Sequence, residues 1–163
     1  MTIDLSNLYQ KQSELDEFIA RNHDINYDNT RDKRILALLV ELGEFANVTR
    51  CFKYWSIKKS ESEATVLDEY VDGLHFFLSL GLDIGVLKKV YRFAKEADTL
   101  TAQILKTYRL VSNFNKERDE RSYRAAFQAF INIAPLLKVS WETIEKAYLK
   151  KLEINFTRQN NNY

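Results

Sequence analysis

Glycine and proline are nearly absent: four glycines and one proline occur in 163 residues. These two residues are the strongest punctuation a chain has, so their scarcity leaves long uninterrupted segments. Within those segments apolar residues recur at spacings of three and four rather than two, the signature of helix and not of strand. Together these features predict an all-α fold, a bundle of about five to six helices. Helices are expected over residues 3–22, 31–52, 63–82, 86–114 and 121–133, with a last one opening at an N-cap on Ser140 and running to about 156. Polar loops at 23–30 and 53–62 and a charged break at 115–120 separate them, and the fifth helix stops before Pro135. Gly81 and Gly85 suit the C-terminal cap of the third. Residues 158–163 read as a polar tail that a ligand would order.

A hydrophobic fraction of 45% excludes a largely disordered chain, and the length suits one domain, residues 1–163, with no disulfide or metal needed merely to fold. Lys and Arg total 24 against 23 Asp and Glu, a balance that argues against nucleic acid and against anionic membranes as partners. Cys51 is the single cysteine, so no intramolecular disulfide can form, and it reads as a small apolar filler. Neither a secretory leader nor an apolar run long enough to span a bilayer is visible, and the expected location is the cytoplasm.

Two helices carry acids where a second apolar face should be. On the helix over 31–52, Ile35, Leu38, Leu39, Leu42 and Ala46 form one apolar stripe, and on roughly the opposite side lie Ala37, Glu41, Glu44 and Val48. The helix over 63–82 repeats the plan: Leu67, Val71, Leu74, Leu78 and Gly81 form its core stripe, with Glu69, Asp72 and Phe76 on the far side. Four carboxylates gathered in a partly desolvated site repel one another, so a shared proton, basic partners or a divalent cation must offset them. An all-oxygen ligand set favours hard ions such as magnesium or manganese, which could bind a polyphosphate and polarise a water. Either pair alone is commonly a solvated helix surface; two in succession, each between apolar neighbours, are more specific.

Glu41-Leu-Gly-Glu44, followed after 24 residues by Glu69-Tyr-Val-Asp72, resembles the E-x-x-E … E-x-x-D signature of the all-α nucleoside triphosphate pyrophosphatases. Within that superfamily, the segments 41–50, 52–55 and 69–76 and the closing Asn155-Phe-Thr-Arg158-Gln159 resemble the dimeric dUTPases. The resemblance is close over residues 35–82 and over the last helix, and rests on helical character alone over 84–138. It implies a magnesium-dependent hydrolysis of dUTP, and of dUDP, to dUMP, with pyrophosphate released from dUTP, by a homodimer. It also implies that Glu41, Glu44, Glu69 and Asp72 hold the metal, with Glu44 the general base for the attacking water. Gln12 would read uracil, Lys53 and Trp55 would contact the nucleotide from a loop, and Lys151, Asn155 and Arg158 would close over phosphate and sugar. The chain departs from the family pattern at Leu152, where an asparagine is frequent, and at Asn162-Tyr163, where Gly-Tyr is common. The motifs of the trimeric, β-sheet dUTPases are absent.

These roles suit the residue types. A glutamine amide offers both a donor and an acceptor to a pyrimidine edge. An indole is a stacking platform, and lysine and arginine neutralise phosphate. Each residue also has a structural alternative: Trp55 packed in a core or interface, Gln12 on the surface, Lys53, Lys58 and Lys59 merely solvated, and His75 packing beside the acids. Three other readings stay open. One keeps the fold and acids but changes the base, as in a pyrophosphatase for dCTP or a broader range of nucleotides. Another is a carboxylate-bridged di-iron bundle, which Asp72-x-x-His75 only half satisfies. The last is a non-enzymatic helical dimer that recognises another protein; a dUTPase could also act through a regulatory protein partner, which no motif here marks.

Overall fold

The computed structural model describes residues 1–94 and 96–161. Asn162-Tyr163, and with it the end of the expected polar tail, lies outside the described residues. The order is β1 (Thr2–Asp4), α1 (Ser6–His23), α2 (Tyr27–Thr49), α3 (Glu63–Asp83), β2 (Val90–Arg92), α4 (Leu100–Glu117), α5 (Glu120–Ile131), α6 (Ala134–Leu137) and α7 (Trp141–Asn160). The fold is all-α, as expected, with one small antiparallel ribbon in which Ile3 faces Tyr91.

The helix boundaries follow from local chemistry. α2 starts four residues earlier than expected because Asn26 and Asn29 bond each other's backbone reciprocally, a capping box. Ser62, Thr99, Asp119 and Ser140 cap α3, α4, α5 and α7 by accepting from backbone N–H groups in the first turn. At the end of α3, Gly85 adopts a φ of 68°. Val86 N–H donates to Gly81 and Gly85 N–H to Leu82, the paired bonds of a Schellman ending, which an L side chain at Gly85 would strain.

Three expectations are corrected. The fourth helix does not begin at residue 86: after the α3 cap the chain turns, forms β2, and re-enters helix only at Leu100. The first helix does not include Ile3, whose side chain is buried from β1, while the Asp4 carboxylate accepts from Ser6 N–H and turns the chain into α1. The last helix does not end near 156 but carries Arg158 and Gln159 in its final turn.

α3 is the central element. It packs against α1, α2, α5 and α7, and Tyr70, Val71, Leu74, Phe77 and Leu78 on it are fully buried. Stacked rings fill the space toward α5, with Tyr70 on Phe130 at 4.4 Å and Phe77 on Phe127 at 4.9 Å between centroids. Gly81 lets α3 approach the hydroxyls of Tyr9 and Tyr123, which bond each other at 2.7 Å; a Cβ there would lie 2.7 Å from the Tyr9 hydroxyl. This rigid helix, clamped on most sides, presents Glu69 and Asp72 along its one remaining face.

Candidate active site

α2 and α3 are the most intimately packed pair in the fold, and their packing turns the two acid pairs toward each other. Carboxylate oxygens of Glu41, Glu69 and Asp72 lie within 4.8 Å of one another, each group half-buried. Glu44 stands one turn beyond Glu41, exposed, beside a groove that Val40, Gly43, Asn47, Val48 and Glu69 also line. Three of the four expected acids therefore converge, and the fourth flanks them.

The electrostatics of this face are unfavourable by construction. Burial, then the charges of Asp72 and Glu44, push the Glu41 carboxyl up to about 7. Burial also raises Glu69 and Asp72, the former with help from Glu44 and Asp72. One oxygen of Glu41, Oε2, is buried without a hydrogen-bond donor among the described residues. A buried carboxylate oxygen lacking a donor is costly, and an oxygen-seeking cation supplies what is missing. The acids thus form a set able to hold a divalent cation.

One internal cation already meets them. Lys151 on α7 places its buried Nζ 2.7 Å from Asp72 and 2.9 Å from Asp68. Burial works against that ammonium, but its bonds to the two aspartates outweigh the penalty and raise its pKa. Arg158, two turns further along α7, acts electrostatically on Asp72 and offsets a small part of its burial-driven rise. Asn155 is half-buried on the same helix, and Arg158 also lines an exposed groove with Glu153, Ile154, Thr157 and Asn161. Of the sequence-expected trio of α7, Lys151 is therefore in direct contact with the acid face and Arg158 acts on it electrostatically, whereas Asn155 is placed only on the same helix.

Gln12 is not a surface glutamine: it is 3% exposed, inside the bundle between α1, α3 and α7. Its Nε2 donates to Asp16 at 2.8 Å, while its Oε1 accepts from Nδ1 of His75 at 2.8 Å and from the Tyr148 hydroxyl at 2.9 Å. His75 and Tyr148 also stack, with centroids 4.2 Å apart. Each stands one helical turn from a member of the acid face, His75 from Asp72 on α3 and Tyr148 from Lys151 on α7, so the Gln12 cluster adjoins that face. His75 packs as its structural alternative held.

The loop between α2 and α3 behaves differently. Trp55 is 64% exposed, which removes the reading of a packed core residue. It meets Phe52 and Tyr54 edge-on, and Lys53 Nζ lies 5.7 Å above the Phe52 ring. Arg50 fixes the loop by donating to Ser56 Oγ and to the Lys58 carbonyl. Lys53 and Trp55 therefore sit together, in an aromatic patch on the outside of the bundle.

Sequence reasoning missed Asp16, Asp68 and Tyr148. Asp16 lies one helical turn from Gln12 in the segment Gln12-Ser-Glu-Leu-Asp16, which is the only local signal any of them gave.

No curated protein matches the chain. A family model does: that of a dUTPase family matches residues 4–163, nearly the whole sequence. The match spans both acid pairs, the Gln12 cluster and α7 alike. The chain belongs to the dimeric, all-α dUTPase family, and it is a dUTP diphosphatase.

Proposed function

We propose that the α2–α3 acid face is the catalytic centre for dUTP hydrolysis and that it works with magnesium, manganese being an alternative. The observation that carries this reading is Glu41 Oε2, a buried carboxylate oxygen without a donor among the described residues, beside Glu69 and Asp72. Glu41, Glu44, Glu69 and Asp72 are the residues that would hold the ions. When bound, such ions neutralise triphosphate charge and polarise the phosphorus under attack.

The chain's own groups do the rest. Glu44 is exposed at the groove, where it can take the proton of an attacking water. Lys151 and Arg158 meet phosphate oxygens from the α7 side, with Asn155 toward the sugar. Trp55 offers its face to the nucleotide and Lys53 its charge, and Gln12 discriminates the base. Cleavage between the α- and β-phosphates yields dUMP and pyrophosphate from dUTP, and dUDP is accepted by the same logic. Most of the catalysis is positioning and electrostatic stabilisation.

Residues 1–163 act as one domain in this reading, and the active species is a homodimer. Leu36 and Val40 on α2 and Leu105 on α4, each at least half exposed, support a covered face on that helix pair. No described helix is long and apolar enough to cross a membrane. A cytoplasmic location fits the lone, half-buried Cys51.

Pyrophosphate release from dUTP, dCTP, dTTP and UTP, each with magnesium and with EDTA, tests the proposal. Magnesium-dependent release confined mainly to dUTP is expected. Release that survives EDTA would overturn the assignment of the acid face.

A further inference from the structure

A glutamine amide has four polar capacities: two N–H donors and two lone pairs on its oxygen. Inside this fold, three of Gln12's are used. Both Oε1 lone pairs are taken, by His75 Nδ1 and the Tyr148 hydroxyl, and one Nε2 hydrogen goes to Asp16. The capacity left over is a single N–H donor. Placed at position 4 of the base, that donor pairs with the carbonyl of uracil and not with the amine of cytosine, whose acceptors lie at N3 and O2.

What keeps the amide from turning over is a question of polarity. On the Oε1 side both neighbours are amphoteric. A tyrosine hydroxyl can donate or accept, and a neutral imidazole can carry its proton on either nitrogen. Burial holds His75 neutral, lowering its pKa to about 3, and its Nε2 is buried without a partner among the described residues. Moving its proton from Nδ1 to Nε2 would therefore cost His75 no hydrogen bond made by the second nitrogen. Neither group, alone, prevents a flipped amide.

Asp16 is different. As a carboxylate it only accepts, and its other oxygen already accepts from the Tyr27 hydroxyl at 3.0 Å. Burial raises the Asp16 carboxyl, and the bonds from Gln12, Ser79 and Tyr27 and the Arg34 charge oppose that rise. A flipped Gln12 would turn its carbonyl oxygen onto that carboxylate. Asp16 is thus the one member of the cluster with both oxygens accepting from neighbouring donors.

We propose that Asp16 is a specificity-determining positioning residue, which orients the Gln12 amide so that a donor, and not an acceptor, is left to meet the base. This rests on the reading that Gln12 discriminates the base. It predicts that uracil selectivity can be lost without altering any residue that touches the nucleotide. Asparagine at position 16 is nearly isosteric but can donate as well as accept, so both amide orientations become satisfiable.

The test is the ratio of kcat/KM for dUTP to that for dCTP in the wild type and in Asp16→Asn, Asp16→Glu and Gln12→Ala. Asp16→Asn is expected to lower the ratio roughly 10-fold or more, since discrimination built on a donor–acceptor pairing is large. Asp16→Glu keeps an acceptor-only group and retains most of the ratio, a rescue that a merely structural role would not show. A folded Asp16→Asn with a ratio within twofold of wild type would overturn the proposal. If Gln12→Ala leaves the ratio intact, the underlying reading of Gln12 fails and the role of Asp16 falls with it. If Gln12→Ala collapses the ratio and Asp16→Asn does not, only the positioning role fails.

A measurement on the wild type needs no variant to fold. In nitrogen-edited NMR of the Gln12 side chain, one Nε2 proton should exchange slowly with water, and the other should shift with dUMP but not with dCMP. Equal exchange of both protons would contradict an amide anchored by Asp16.

Discussion

The helix pair α2–α3 holds two clusters of buried or half-buried charge, and they are built on opposite principles. Near the start of α2 and the end of α3, the Asp83 side chain is 1% exposed yet fully answered. Arg31 Nε donates to it at 2.8 Å and Arg34 reaches it at 2.6 Å, with Arg34 also lying over the Tyr27 ring and donating to the Tyr27 carbonyl. Further along the same two helices, Glu41, Glu69 and Asp72 crowd together with Lys151 as their one direct ionic partner among the described residues, and a buried oxygen is left without a donor. The first cluster closes two guanidinium groups on one buried carboxylate, with the exposed Asp28 also pairing Arg31, and fastens the helices together. The second has an excess of anions that the fold tolerates and does not need. An arrangement that costs stability and contributes no packing is where external chemistry is to be sought.

Variants sharpen the contrast. The largest effect is expected at Glu44, which is exposed and so contributes little to the fold. Glu44→Gln should lower dUTP turnover by roughly 10²–10⁴-fold, the range for loss of a general base, with thermal stability close to wild type. Turnover at the wild-type rate would remove Glu44 from that role. Next comes Asp83→Asn, which removes the one buried anion between two guanidinium groups and leaves Arg31 only the exposed Asp28. It should destabilise by about 3 kcal/mol in urea unfolding, the low end for breaking a buried pair because both arginines keep some contact with water. No loss of stability would mean that the two clusters are alike after all.

The smallest effect carries the opposite sign. Without cations, the folded state holds the Glu41 proton up to about pH 7, against a usual value of 4.5 in an unfolded chain. The folded state therefore binds more protons between those values, and stability rises as pH falls from 8 toward 5. His75 opposes this below about 6.5: its folded pKa is near 3, so the unfolded chain takes up a proton that the folded one refuses. Comparing Glu41→Gln with the wild type cancels the histidine. The variant should be more stable by about 1–2 kcal/mol at pH 8, a figure reduced from the full shift because Glu41 keeps contact with water. That advantage should fade by pH 5, as monitored by urea unfolding in EDTA.

How far the sequence could be read depends on how local each feature is. The acid face was legible because Glu41, Glu44, Glu69 and Asp72 announce themselves by helical spacing within two elements. Ser140, Ser62 and Gly85 act where short-range capping chemistry places them. Strands of three residues fall beneath any periodicity window, so β1 and β2 were hidden, and the apolar spacing of 86–93 was absorbed into a fourth helix. The cluster around Gln12 was illegible for another reason. Its oxygen is satisfied by residues 63 and 136 positions away, and no local pattern shows that a polar residue on α1 will be buried against α3 and α7. Family resemblance singled out Gln12 without revealing that its amide is locked by neighbours.

The most direct measurement is the melting temperature of the wild type and of Glu41→Gln at pH 8, each in EDTA and in millimolar magnesium. In EDTA the variant should melt higher, because one repelling, donor-starved carboxylate has been neutralised. Magnesium should raise the wild type and leave the variant nearly unmoved, since a ligand that binds only the folded state stabilises it in proportion to its occupancy. A wild type indifferent to magnesium, together with a variant that melts lower in EDTA, would show that the acids are structural and that the catalytic centre lies elsewhere.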